Sequence, residues 1–256
     1  MHLLRLDSDG QPRLTLCSEL QAPKYAVLSH TWEEPSGEVT FKDMSEHSGN
    51  SKPGYRKIEF CGTQARTDGL EYFWVDTCCI DRGSSEEVSK AINSMFQWYR
   101  NAEKCYVYLA DVSTSSGADR EVWEEAFRKS RWFSRGWTLQ ELLAPQVVEF
   151  FSREGQKLGD KESLLNLLHE VTEIPSLALQ GLGLKRYSVE QRFQWAAKRH
   201  TMEPEDKAYS LLGIFEVSIP LIYGEGEKHA WDRLQNAIEE QTERERRGKL
   251  TTSSPY

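Results

Sequence analysis

The sequence predicts an α/β fold, a doubly wound and mostly parallel sheet with helices on both faces, elaborated by an additional C-terminal helical part. Three observations predict it. Short apolar runs of strand length occur at 25–29 (YAVLS), 72–76 (YFWVD), 105–110 (CYVYLA) and 147–151 (VVEFF). Segments of helical periodicity separate them, which is the pattern of parallel strands joined by crossover helices. Beyond residue 152 the remaining periodic segments read as helices.

The first strand, 25–29, ends abruptly in His30, Thr31 and Trp32, as a buried strand does when it empties into a loop. A helix is expected over 55–68, where Ile58, Cys61 and Ala65 share a face and Gly69 is a stop signal. After the strand at 72–76, Ser84 and Glu87 have capping-box spacing, and Val88, Ile92, Met95, Phe96 and Tyr99 then fall on one face. This helix leads to the strand at 105–110, followed by Asp111 and a Ser/Thr/Gly loop through 113–117. Helical pieces are expected at 121–130 and 137–143, and Pro145 precedes the fourth strand. Four more helices are expected at 160–171, at 188–200 behind the capping box Ser188/Gln191, at 204–215 and at 225–242. Residues 1–152 thus read as the α/β core and 153–242 as a helical elaboration packed on it. The charged, then Ser/Thr/Pro-rich stretch 243–256 reads as a linker or tail.

Composition narrows the function classes. With 32 basic and 40 acidic residues the chain carries a formal charge of −8, which disfavours a polyanionic partner such as nucleic acid. Its five cysteines are odd in number, and three lie in apolar runs, so reduced thiols and a cytoplasmic setting are expected rather than a disulfide framework. No stretch of roughly 18 apolar residues suggests a membrane span, and the first residues lack a secretory pattern.

In an open α/β sheet ligands bind beyond the carboxyl ends of the strands. Those ends are Ser29-His30, Asp76-Thr77-Cys78, Asp111 and Ser152. The segment 130–145 (SRWFSRGWTLQELLAP) packs two tryptophans, two arginines and one carboxylate close together. Trp137 and Glu141, four apart, are neighbours on one helix face, and an aromatic plane beside an acid suits a flat cationic ring such as oxidised nicotinamide. The same spacing also describes a core tryptophan beside a solvated glutamate. Ser29, His30, Asp76, Cys78, Cys79 and Asp81 admit a thiol or serine nucleophile with a histidine base, although adjacent strand residues point to opposite faces. Asp76 and Asp81 could receive ribose hydroxyls or cap the following helix. Cys78 and Cys79 lack the spacing of a zinc site, so no metal is expected. Residues 223–227 (YGEGE) lack the lysine of a phosphate loop and read as a turn into the last helix.

The strings YAVLSHTW (25–32), FWVDTCCID (73–81), AINSMFQWYRNAEKCYVYLADV (91–112), SRWFSRGWTLQELLAP (130–145) and EDKAYSLLGIFEVSIPLIYGEG (205–226) together resemble the HET domain of fungal heterokaryon incompatibility proteins, over roughly 1–242. The resemblance is closest to the subgroup in which the HET domain precedes NACHT and WD40 regions. It implies a cell-death effector with a TIR-like, flavodoxin-like core. YAVLSHTW looks like the first strand and loop of TIR domains, and WTLQE (137–141) like the helix that carries the acid of NAD-cleaving TIR enzymes. On that resemblance Glu141 would be the catalytic acid of an NAD glycohydrolase. Trp137 would be its aromatic neighbour, with Ser29, His30 and Trp32 along the nicotinamide and ribose side and Asp76 and Cys78 closing the site. Asp81 and Arg135 are expected to complete the substrate-binding set. NAD would be a substrate and no cofactor is needed. Partners would be further copies of the same domain on activation and the NACHT and WD40 regions of a longer protein. The alternative implied by the resemblance is a non-catalytic, oligomerising death adaptor.

Overall fold

The protein is described by a computed structural model over residues 1–115 and 119–252. The chain opens with a hairpin of β1 (His2–Leu6) and β2 (Pro12–Leu16), then enters β3 (Tyr25–His30) and a short α1 (Phe41–Ser45). Helix α2 (Tyr55–Thr67) leads to β4 (Tyr72–Trp74), the single turn α3 (Asp76–Cys79), the long α4 (Ser85–Asn101) and β5 (Lys104–Leu109). Next come α5 (Arg120–Arg128), α6 (Thr138–Leu143), β6 (Val148–Ser152) and β7 (Lys157–Asp160). The helical remainder comprises α7 (Leu165–Thr172), α8 (Ser176–Leu179), α9 (Val189–Ala196), α10 (Asp206–Tyr209), α11 (Leu212–Phe215) and α12 (Glu227–Thr252). Among the described residues no helix is long and apolar enough to cross a membrane.

The described strands form one sheet in the order β2-β1-β4-β3-β5-β6-β7. Its centre, β4-β3-β5-β6, is parallel, and each of these strands arises from one of the four apolar runs. Burial on both faces explains why those runs are continuous rather than alternating. The chain steps from β3 to one side for β4 and to the other side for β5, which opens a crevice at the carboxyl ends of the strands. The expectation of a mostly parallel sheet needs correction: β1, β2 and β7 are added antiparallel. The hairpin strands β1 and β2 are not evident from sequence because HLLRL and PRLTL intersperse charge with apolar residues and are only partly buried.

Register assigns the two faces. Leu28 and His30 stand beside Tyr106 and Tyr108, on the face that α2 covers through Phe60, whose ring meets Tyr106, Tyr108 and Phe151. Val27 and Ser29 point to the opposite face with Trp74, where α4 presents Trp98 and Tyr99 and α5 sets Phe127 against Phe150. Ser84 caps α4 as expected, accepting from the Glu87 amide, but the box is not reciprocal. The Glu87 carboxylate turns instead to the Asp81 amide and to His2. Ser188 and Gln191 do form a reciprocal box.

The expected helix 160–171 begins later, because 157–160 pairs as β7, and 204–215 divides into α10 and α11. Helix α12 runs ten residues beyond 242, through most of the stretch expected to be a linker, and 253–256 lie outside the described residues. Part of the expected loop at 113–117 also lies outside them. Helices α11 and α4 approach so closely at Gly213 that an added Cβ would meet the Phe96 Cβ at 2.0 Å. Gly213→Ala is therefore expected to destabilise the fold by about 1–3 kcal/mol through overpacking, read as a lowered urea midpoint with unchanged slope.

Candidate functional site

Helix α6 is six residues long and all six are buried, so its position is set by tertiary contacts rather than by propensity. At its C-terminal end the Lys161 ammonium donates to the carbonyls of Leu142 (3.1 Å) and Pro145 (2.7 Å). Burial lowers the Lys161 pKa to about 8. At the other end Arg199 donates to the Arg135 carbonyl (2.9 Å) and the Thr138 hydroxyl (2.8 Å). These two cations pin the helix that carries Glu141.

Glu141 faces the underside of β3. Ser29 Oγ donates to Glu141 Oε2 at 2.5 Å and accepts from the Trp132 indole N–H at 2.8 Å, which fixes the hydroxyl proton toward the carboxyl group. The Glu141 side chain is desolvated and 5% exposed as a residue. Burial, with a smaller push from the negative charge of Asp76, raises its pKa to about 8 against the opposing Ser29 hydrogen bond.

Asp76 sits two residues past the end of β4, at the start of α3. Its Oδ1 is 3.0 Å from His30 Nε2, and its Oδ2 accepts from the Trp32 indole N–H at 2.8 Å. Burial opposes ionisation, but the His30 hydrogen bond, followed by the charges of Arg135 and Arg82, holds its carboxyl well below the usual carboxylate range. Two carboxyl groups of one cavity are thus pushed apart, Asp76 ionised and Glu141 protonated at neutral pH, a division of states that suits acid–base work. Behind His30 lies the buried ammonium of Lys57, 3.3 Å from Nδ1, 3.2 Å from the Thr31 carbonyl and 2.6 Å from Glu38 Oε1. An ammonium only donates, so Nδ1 is the acceptor and the ring proton sits on Nε2, facing Asp76.

A cavity of about 650 Å³ opens beyond the strand ends, with Asp76 and Glu141 on its wall. Trp32, Arg135 and Trp137 also line it. Ser29 and His30 stand one layer behind, bonded to Glu141 and Asp76 respectively. Trp32 has the guanidinium groups of Arg82 and Arg135 over its ring, at 4.4 and 4.7 Å from the centroid. Cys78 and Asp81, also expected at the site, are likewise not among the residues lining the cavity. Residues 76 and 78 project from opposite sides of the α3 turn, so Cys78 is fully buried with its thiol toward the Val75 carbonyl. Asp81 takes the local role, accepting from the Gly83 amide in the turn before α4. Burial raises the Cys78 thiol pKa well above its usual value, so it is a poor nucleophile.

The C-terminal part completes the cavity, which the sequence reading did not foresee. Residues 199–201 run beside 134–136 as an isolated bridge: the His200 amide donates to the Ser134 carbonyl (2.7 Å) and the Gly136 amide to the His200 carbonyl (2.8 Å). Gly136 is required there, because an added Cβ would meet Thr201 Cγ2 at 2.5 Å. Trp137 donates to Asp206 Oδ2 (2.9 Å), and Tyr223 donates to Asp206 Oδ1 (2.9 Å). Asp206, Tyr223, His200 and Arg82 all line the cavity. Residues 223–227 form the expected turn, held by Glu205, which accepts from the Gly224 and Gly226 amides.

The family model for heterokaryon incompatibility protein (HET) matches residues 25–122. The vegetative incompatibility protein HET-E-1 of Podospora anserina is 53% identical over 241 residues, covering 93% of this chain. The chain spans only 18% of the length of that relative. No solved structure matches the chain. The chain carries a HET domain and belongs to the heterokaryon incompatibility family.

Proposed function

We propose that this HET domain is the cell-death effector of a longer incompatibility protein, and that its cavity cleaves the nicotinamide–ribose bond of NAD. One observation carries the reading: a buried, protonated Glu141 shares a cavity of nucleotide size with an ionised Asp76, between aromatic side chains and arginines. The positive pyridinium ring would enter beside Trp137 and favour the Glu141 carboxylate by direct charge attraction. The bond between C1′ and the ring nitrogen then breaks, its electron pair neutralises the pyridinium, and positive charge develops on the ribose facing Glu141. Water adds to C1′ and passes its proton to Glu141 and then to solvent, giving nicotinamide, ADP-ribose and a proton. Arg82 and Arg135 lie where a diphosphate can be neutralised, and Asp76 keeps free lone pairs for a ribose hydroxyl.

The TIR-like ancestry of this site is part of the proposal, supported by the spatial order of the parallel core strands and by the Trp137–Glu141 pair. So are a cytoplasmic location, self-association on activation, and NACHT and WD40 regions elsewhere in the longer protein. The direct test is NAD consumption by the purified chain, alone and fused to a tetramer-forming tag. Loss of NAD with stoichiometric release of nicotinamide is expected on clustering. Intact NAD under both conditions, with cell killing retained, would instead favour the oligomerising adaptor.

A further inference from the structure

A second cavity, of about 790 Å³, lies in the helical part, lined by Gly136 but not by Glu141, and Thr201 touches both cavities. We propose that it is a separate binding site for a small planar organic anion, an aromatic ring bearing a carboxylate, seated against Arg199.

Three features define the site. Arg199 is 6% exposed, yet among the described residues no carboxylate pairs with its guanidinium, and only its Nη1 is engaged, by the Arg135 carbonyl and Thr138 Oγ1. A buried cation bonded only to neutral oxygens, with its other N–H groups free to donate, is short of an anionic partner. Burial lowers its pKa to about 10, and the one opposing influence is the more distant charge of Glu141, with which it makes no ion pair. The walls are apolar and aromatic: Phe193 and Ala196 from α9, Ala197 just past its end and Trp231 from α12, with the Phe193 and Trp231 ring centroids 4.9 Å apart. At the rim Lys207 is neutralised by Glu227 at 2.9 Å, leaving Lys228 and the exposed Glu190 as opposite charges. The interior therefore has one uncompensated charge, that of Arg199, and an anionic head with an apolar body matches it. The bound anion would be felt at Glu141, because the same guanidinium holds the start of α6. Binding here does not depend on the chemistry proposed for Glu141.

The test uses 1-naphthoate and its neutral counterpart 1-naphthylmethanol, titrated calorimetrically into the whole chain. Saturable one-to-one binding of naphthoate, at least tenfold tighter than the alcohol, is expected. Arg199→Gln should remove that preference. Ala197→Trp, which fills the cavity from an exposed position and leaves Arg199 in place, should abolish binding while near-ultraviolet circular dichroism remains native. If wild type binds neither ligand or both equally, or if folded Ala197→Trp binds naphthoate as wild type does, the site is overturned.

Discussion

Glu141→Gln is expected to lower NAD cleavage by the clustered protein roughly a thousandfold, the scale for removing a group that faces developing charge, while making the fold more stable at alkaline pH. The two effects have one cause. Glu141 has a folded-state pKa of about 8 against an ordinary value of 4.5. A raised pKa means that the native state holds the proton more tightly than the unfolded chain. Its stabilising contribution is complete below about pH 4.5 and is lost as pH rises through about 8. Wild type should therefore lose about 4 kcal/mol relative to Glu141→Gln between pH 5 and pH 8, since glutamine keeps the shape and neutrality without titrating. The measurement is urea unfolding of both proteins at several pH values. Parallel stability curves would show that Glu141 is not a buried titrating acid. A glutamine variant that still consumed NAD would remove it from the chemistry, whatever its stability.

How much of this site could be read from residues alone depended on the range of each contact. The parallel strands were legible because YAVLSH and CYVYL are buried along their whole length, a condition that only a covered central strand satisfies. Trp137 and Glu141 were legible as a pair because helical spacing brings residues four apart together. That Trp137 reaches Asp206 rather than solvent was not, since 69 positions separate them and no periodicity connects them. Asp76 and Asp81 looked equivalent in sequence, each compatible with capping or ligand contact. The turn at 76–79 aims the first into the cavity, while Gly83 and Ser84 draw the second into a local turn. Lys57 left a signal that went unused: it lies four residues before Cys61 and beside Ile58, on the apolar stripe of α2, where a lysine is buried only if something pairs with it.

That pairing gives Lys57→Met a large expected effect, a loss of about 3–5 kcal/mol of stability. Methionine fills the space of the alkyl stem, so the cost comes from what the ammonium leaves behind. Glu38, whose side chain is 7% exposed, would lose its partner at 2.6 Å and keep only the Glu33 amide. The Thr31 carbonyl and His30 Nδ1 would lose a donor as well. If the charge of Glu38 is the main liability, adding Glu38→Leu should recover most of the loss, and the double-mutant cycle should return a coupling of about 2 kcal/mol or more. A cycle near zero would mean that the ion pair holds nothing together. The consequence for the proposed NAD cleavage is separate from stability. Without a donor at Nδ1, His30 is free to carry its proton there and donate to the Thr31 carbonyl at 3.3 Å, turning an unprotonated Nε2 toward Asp76. Asp76 would then lose the hydrogen bond that keeps it ionised, and its pKa would rise. The folded double variant is thus expected to regain stability but not activity, with its NAD cleavage falling off at higher pH than that of wild type as acid is added. If stability and activity return together, His30 does not need Lys57 to orient it.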